Sequence, residues 1–426
     1  MPAEKTFIIV GAGLAGAKAA EALRHQGFDG RLVLIGEEPE RPYERPPLSK
    51  NYLRRETAEK PYVHPESFYR DQGIELMTST RVTELDADSR KLVLDDELSI
   101  GYDRLLIATG AFPRRLEVPG AELDGVHYLR TVADSERIGE RLERGARLVM
   151  VGAGWIGSEI AASARQKGCE VTMLEMGTLP LENVLGAEMA QVFLQLHRDH
   201  GVEFLAETVV ERFEGARALE RVVMSNGAIV NTDLVVVGIG VTPRTGIFEA
   251  AGLATDNGIV VDRNLRTSVD DVFAAGDVAN AYNPFYGGRI RVEHWANAAE
   301  QGRLAAGSML GKRAGAGEIP YFFSDQYDVG IEYSGYATEW DEVVFRGDRA
   351  GREFLAFWLR DGRVVAGLNM NVWDLHDEIR DLIRSRRRVS RVDLADPDIP
   401  LSIIGRGSGA PRPEALAAWA SEGGAV

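Results

Sequence analysis

Cysteine is nearly missing from this chain: among 426 residues only Cys169 carries a thiol. A single thiol excludes an intrachain disulfide and any intrachain pair of redox cysteines. It fits a reducing compartment, so a cytoplasmic location is expected. Long apolar runs are missing too. None reaches the roughly 18 residues of a membrane helix, so no membrane span is expected. A basic excess is also absent. Lys and Arg number 49 against 65 Asp and Glu, for a net charge of −16. A field of that sign repels nucleic-acid phosphates and argues against a general nucleic-acid binder. What remains is globular. The chain is 45% hydrophobic and 27% charged, enough for a sizeable core, and its length implies about three domains.

The first motif stands almost at the start. Thr6 to Val10 (TFIIV) read as a buried strand, and Gly11, Gly13 and Gly16 follow in the spacing G-x-G-x-x-G before an alanine-rich helix. The first glycine allows a tight turn and the second lets a pyrophosphate approach the backbone. The third lets helix and strand pack closely, and the helix N-terminus offers free N–H groups to phosphates. Arg31 to Gly36 form a second strand ending at Glu37, 21 positions after Gly16, where a carboxylate can accept ribose hydroxyls. This start is therefore read as a dinucleotide fold rather than a signal peptide.

The motif then recurs 141 positions later. Leu148 to Val151 lead into Gly152, Gly154 and Gly157, with Ile156 between, then a helix and a strand ending at Glu175. Two such sites suggest two dinucleotides and hydride transfer between them. A carboxylate at the position of Glu175 favours a ribose diol over a 2′-phosphate, and no arginine adjoins it, so NADH is expected over NADPH. Glu159, two residues beyond Gly157, is placed in the first helical turn, projecting toward the bound group.

Between these motifs the segment Glu38 to Lys50 carries four prolines and reads as a stiff, extended loop. Its run RPYERPPLSK, after a GAGLAG fold, resembles the FAD-dependent NADH:ferredoxin reductases that serve Rieske-type oxygenases and cytochromes P450. Those enzymes are glutathione-reductase-like. The pattern Y-D-x-L-x-x-A-T-G at Tyr102 to Gly110, the segment from Asp233 to Arg244 and the run Ala274 to Val278 (AAGDV) extend the resemblance. It covers nearly the whole chain to about residue 405.

The resemblance implies an α/β architecture: two Rossmann-like dinucleotide-binding domains plus a C-terminal α+β domain. The expected boundaries are 1–112 with 245–319 for FAD, 113–244 for NAD and 320–406 for the last domain, with 407–426 a flexible tail. It assigns Gly11, Gly13, Ala15, Gly16, Glu37, Arg45, Lys50, Val82, Ala108, Thr109, Gly110, Arg130, Gly276, Asp277 and Trp295 to FAD. Gly152, Gly154, Ile156, Gly157, Glu159, Glu175, Ile239 and Gly240 go to NAD. It pairs Lys50 with Glu159 beside the flavin and nicotinamide. Asp277 would take the ribityl chain or cap a turn, and Trp295 would lie against the isoalloxazine or in the core. Hydride would pass from NADH to FAD, and single electrons onward to an iron–sulfur ferredoxin. Arg380, Arg384, Arg386, Arg387 and Arg388, with Arg391, are either a solvated face or the ferredoxin's docking patch. Relatives that use a redox thiol carry it in the proline loop, and none lies between Glu37 and Leu53. Phe323 stands where tryptophan is common, which leaves an electron route through that indole in doubt. Rubredoxin reductase, an apoptosis-inducing-factor-like flavoprotein and an NADH oxidase remain as alternatives.

Overall fold

A computed structural model describes residues 5–313, 315 and 317–405. The expected tail, 407–426, lies outside the described residues. The described chain divides into two compact units. One runs to Met176 and resumes over His200–Glu318; the other joins Gly177–Asp199 to the chain from Ile319 on.

The first unit holds both expected dinucleotide folds. Five parallel strands form its first sheet, in the order Val272–Ala274, Arg104–Ile107, Thr6–Val10, Arg31–Ile35 and Ile74–Met77. β-Branched and leucine side chains fill these strands because both faces are covered. Val10 lies beside both Ile35 and Ile107, so three strands end together. Open α/β sheets bind their ligands at such an edge. A second parallel sheet repeats the plan, in the order Glu203–Leu205, Glu170–Leu174, Arg147–Val151, Leu234–Val237 and Val126–His127. Val151 ends beside Leu174 and Val237. The two passes between the folds run side by side, as Ala111–Pro113 pairs antiparallel with Val241–Pro243.

Small residues bring a second helix onto the first motif. The helix Leu14–His25 is alanine-rich, and the helix Trp295–Met309 crosses it at Gly302. A Cβ on Gly302 would come within 2.3 Å of the Ala15 carbonyl oxygen.

One local expectation is corrected. The proline loop is not wholly extended: Pro46–Ser49 form one 3₁₀ turn, with prolines at positions where their fixed φ suits a first turn. Between Pro61 and Ile74 the helix is short, Ser67–Asp71, because Pro65 keeps the preceding backbone extended and Gly73, at φ +62°, ends the turn. Ile259–Val261 pairs with Ala279–Asn283, while Val272–Ala274 joins the first sheet. One helix does stand as the sequence suggests, Ala187–Asp199, set off at Gly186, φ +76°, from the short turn of helix Glu182–Leu185.

The second unit is built on an antiparallel sheet, in the order Tyr321–Gln326, Val329–Gly335, Arg363–Met370, Glu353–Arg360 and Glu342–Asp348. Gly177–Asp199, expected in the NAD-binding domain, belongs here for identifiable reasons. The buried Trp358 donates its indole N–H to the Leu185 carbonyl at 2.9 Å. His197 Nδ1 lies 3.0 Å from the Tyr327 hydroxyl, and Arg352 pairs with Asp199. Among the described residues no helix is long and apolar enough to cross a membrane.

Candidate functional site

The two glycine loops are built alike, glycine by glycine. Gly11 sits at φ +116°, and a Cβ there would meet the Ala108 carbonyl oxygen at 2.2 Å; Gly152 sits at φ +94° with the Gly238 carbonyl oxygen at 2.5 Å. Both need the left-handed backbone that glycine alone adopts freely. The third glycines seal helix to strand. A Cβ on Gly16 would strike the Gly11 carbonyl oxygen at 2.0 Å, and one on Gly157 that of Gly152 at 2.2 Å. The second glycines differ from these: a Cβ on Gly13 or Gly154 would meet nothing within 4 Å. A bare backbone facing open space at a helix N-terminus is the cradle that a pyrophosphate needs. Both loops therefore fit a dinucleotide.

Around the first cradle the structure gathers most residues that the sequence singled out. Gly110, at φ +69°, lies against the Arg130 guanidinium, which pairs with Asp277 at 3.0 Å. Asp277 sits in the 3₁₀ turn Gly276–Val278 and does not cap it. Gly276 donates its N–H to Gln301 on the helix that starts at Trp295, and a Cβ on Gly276 would lie 3.0 Å from that of Ala15. Trp295 is 38% exposed, which places it outside the core. Arg45 reaches the Arg130 carbonyl and pairs with Glu38 at 2.8 Å. Burial opposes the Arg45 charge, yet Tyr43 and Glu38 outweigh it and raise its pKa. Arg130 is shifted the other way, by burial first and the neighbouring Arg45 second. Thr109 donates its hydroxyl to the Arg244 carbonyl at 3.1 Å. Val82 is buried at the start of the strand Val82–Asp86. Glu37 is held between Arg81, at 3.1 Å, and Arg244.

The second cradle is more open. Ile156 and Ile239 are exposed, as is Met176 beside Glu175. Gly240 turns at φ +99°. Glu175 folds back on its own loop and accepts the Ala153 N–H at 2.7 Å. The helix Trp155–Gln166 has no acid in its first turn: Glu159 is its fifth residue and 6% exposed. It does not project from the helix end, as was expected. It meets Lys50 instead, at 2.7 Å, with the Ser49 hydroxyl on the same carboxylate oxygen. Lys50 also donates to the Pro46 carbonyl at 3.2 Å. The proline loop of the first fold and the first helix of the second are thus tied by a buried ion pair. Such a pair fixes geometry more surely than it stabilises.

Sequence reasoning passed over five participants. Ser49 stood next to Lys50, and Glu38 and Tyr43 lay in the same loop as Arg45, so proximity was the available signal. Arg244 directly follows the second crossing strand. His294, next to Trp295, has its pKa pushed down to about 4 by burial, against the pull of Asp277; nothing in its sequence surroundings announces that.

The arginines of the second unit are dispersed among acids. Arg380 and Arg384 lie on the helix His376–Ser385 with Asp377, Glu378 and Asp381, and Arg384 is 3.4 Å from Asp381. Arg386 ends that helix at φ +50°, Arg387 and Arg388 follow it, and Arg391 pairs with Glu342 at 3.5 Å. Phe323 lies on the edge strand opposite Glu332.

Comparison with known proteins gives a consistent picture. Residues 5–302 match the Pyridine nucleotide-disulphide oxidoreductase family, and residues 321–404 match the Reductase C-terminal family. The chain is 38% identical to the anthranilate 1,2-dioxygenase system ferredoxin–NAD(+) reductase component of Burkholderia cepacia, covering 93% of this chain and 98% of that one. It is 36% identical to rhodocoxin reductase of Rhodococcus erythropolis, covering 93% and 94%. In three dimensions it resembles the reductase in the crystal structure of the covalent putidaredoxin reductase–putidaredoxin complex, with a TM-score of 0.89, 35% identity and 94% and 97% coverage.

Proposed function

Because this chain belongs to the pyridine nucleotide-disulphide oxidoreductases, and among them to the ferredoxin reductases, we propose that it carries electrons from NADH through FAD to an iron–sulfur ferredoxin. That ferredoxin would serve a cytochrome P450 or a Rieske-type oxygenase. The observation that carries this reading is the pair of open second glycines, Gly13 and Gly154, in two cradles of one compact unit.

FAD, when bound, supplies the chemistry that no side chain here has: it accepts a hydride and releases electrons one at a time. The protein's own work is positioning. Gly13 and the start of the helix Leu14–His25 would present free backbone N–H groups to the pyrophosphate of FAD, while Gly11, whose own N–H goes to the Ile35 carbonyl, makes the turn and Gly16 packs helix on strand; Glu37 would accept the ribose hydroxyls. Arg45, Arg130 and Asp277 form a charged wall beside Gly110, with Gly276 next to Ala15; Ala108 and Thr109 would line the cradle, the Val82 backbone would meet the adenine and Trp295 the isoalloxazine. Gly154 and the start of the helix Trp155–Gln166 would do the same for NADH, with Gly152, its N–H on the Leu174 carbonyl, making the turn, Gly157 packing helix on strand, and Ile156, Ile239 and Gly240 at the nicotinamide end. Glu175 selects the unphosphorylated ribose. Lys50 and Glu159 lock the proline loop to the second fold, and so would hold the FAD side and the NADH side of the site in register. Hydride transfer needs no general base, and none is assigned.

The acceptor carries an acidic surface in this reading and meets the segment from Arg380 to Arg391, where opposite charge speeds encounter. The interspersed acids make the patch a registering surface more than a strong attractor. A cytoplasmic site of action goes with the reading. The oxidase alternative is weakened by Cys169, which is buried and donates to the Leu142 carbonyl, away from both glycine loops in sequence.

Stopped-flow absorbance tests the proposal. Purified yellow protein is mixed with NADH or NADPH, then with a 2Fe–2S ferredoxin and cytochrome c. The expected result is fast flavin bleaching by NADH alone and ferredoxin-dependent cytochrome reduction. Bleaching without transfer to any ferredoxin, with NADH-induced dimerisation, would move the chain to the apoptosis-inducing-factor-like reading. Rapid NADH consumption by oxygen alone would make it an oxidase.

A further inference from the structure

Glu37 is the carboxylate at the end of the second strand of the first fold, and both of its oxygens are engaged. Arg81 approaches Oε1 at 3.1 Å and Arg244 approaches Oε2. The two arginines come from opposite directions. Arg81 immediately precedes Val82. Arg244 leaves the strand Val241–Pro243, on which the chain returns from the second fold to the first. Its backbone is pinned to the first fold: Arg244 donates its N–H to the Gly110 carbonyl at 3.0 Å and accepts the Thr109 hydroxyl.

As a stabilising device this arrangement is weak. Glu37 is 39% exposed, Arg244 43% and Arg81 62%, and ion pairs that open to water contribute little. As a positioning device it is well made. A carboxylate oxygen has two acceptor sites, so one guanidinium on each leaves a site on both oxygens, held in a fixed direction. That is the acceptor pattern for a vicinal diol. Two cations against one carboxylate also leave a net positive charge close to the cradle of the first pyrophosphate.

We propose that Arg244, with Arg81 in support, is a positioning residue that clasps Glu37 and so retains the adenosine half of FAD. The inference rests on the assignment of FAD to the first cradle. It makes the returning strand part of the FAD site, so retention of FAD depends on a residue delivered by the second fold's exit.

The holoprotein tests this directly. Flavin-loaded wild type, R244A, R244K and R81A are diluted and filtered, and released flavin is measured over time. The melting temperature of each is recorded with and without FAD. R244A releases FAD about tenfold faster than wild type, the loss expected for a charge-assisted contact. R81A releases it less fast, and R244K recovers part of the loss. The FAD-induced rise in melting temperature shrinks in R244A while the FAD-free melting temperature stays put. Release within twofold of wild type overturns the proposal. So does an equal fall of both melting temperatures, which would make the clasp merely structural. Wild type that binds no FAD would remove the cofactor assignment itself, a different outcome from tight FAD in R244A.

Discussion

The two dinucleotide folds of this chain use the same loop to hold two groups differently. In each, a helix of 12 residues follows the glycines, the first glycine takes a positive φ, the second faces open space and the third touches the first. The surroundings then diverge. The first cradle is walled by Arg45, Arg130 and Asp277, and its acid is gripped by two arginines. The second leaves Ile156, Met176 and Ile239 exposed, and its acid bends onto its own loop. A walled site suits a group that stays, and an open one suits a group that exchanges every turnover. The glycine loop supplies affinity for a pyrophosphate; residence time is decided by what the rest of the chain brings to it.

The second glycines break this comparison most sharply. G13A and G154A each add a Cβ where nothing stands within 4 Å, so both proteins fold with unchanged FAD-free melting temperature. G13A is expected to come off the column colourless. G154A is expected to be yellow and unbleached by NADH, with any residual NADH affinity down at least tenfold, since the added methyl occupies the pyrophosphate's place. Swapped phenotypes would reverse the cofactor assignment. By contrast G11A and G152A, which drive a Cβ into a carbonyl oxygen from a left-handed backbone, should fail to fold stably in either half.

Next in size is the link between the halves. Lys50 and Glu159 are 11% and 7% exposed, and removing one member of so buried a pair costs about 3–5 kcal/mol. Lys50→Met alone should lower the urea midpoint strongly, while Lys50→Met with Glu159→Gln should recover most of the loss. A double variant no better than the single would show that the pair's partners act separately.

The sheet strands and both cradles were legible in the sequence because each rests on short-range rules. Thr6 to Val10 is a β-branched run, and the glycine spacing encodes backbone conformation directly. Chain-distant partnerships were less legible. The Lys50–Glu159 contact came only through family likeness, and a carboxylate two residues past Gly157 looked like a first-turn acid. In fact the helix starts at Trp155, so Glu159 has already turned inward. The need for glycine at position 186 was not legible, because a Cβ there would meet the Trp340 ring at 2.8 Å, far away in sequence. The transfer of Gly177–Asp199 to the second unit has the same origin: Trp358, Tyr327 and Arg352 claim it. Arg81 and Arg244 carry no motif at all, and only their convergence on Glu37 gives them meaning.

Acid should separate the halves as well. His294 belongs to the walled side, and burial holds its pKa at about 4 against an ordinary 6.5. The unfolded chain therefore binds the proton first on acidification. The stability that His294 contributes is present above pH 6.5 and is lost as pH falls toward 4. The loss amounts to about 3 kcal/mol at most, the free-energy equivalent of that difference in proton affinity. FAD release should accompany it, since His294 feels Asp277 of the first cradle, whereas His127, also shifted down by burial, stands on the second fold's sheet and would add to the loss without loosening FAD. Urea midpoints at pH 7 and pH 4.5 measure the slope. His294→Gln should flatten the acid limb, and an unchanged limb would assign the loss to carboxylates.

The smallest effect tests the two acids against each other. Glu37 and Glu175 occupy equivalent strand ends, yet one is gripped by arginines and the other takes a backbone N–H of its own glycine loop. If residence and selection are divided as proposed, the two substitutions should not resemble each other. E37A should loosen FAD and leave the ratio of kcat/KM for NADH over NADPH alone. E175A should keep its flavin and raise the KM for NADH about tenfold, the worth of a charged hydrogen bond to a ribose hydroxyl. Glu175→Arg, with changes nearby, should carry the ratio toward NADPH, because a guanidinium welcomes the 2′-phosphate that a carboxylate repels. Steady-state rates with both cofactors on each variant decide it. A ratio that does not move in the Glu175 variants would make that carboxylate a brace for the loop through Ala153, and selectivity would have to come from elsewhere along the open edge.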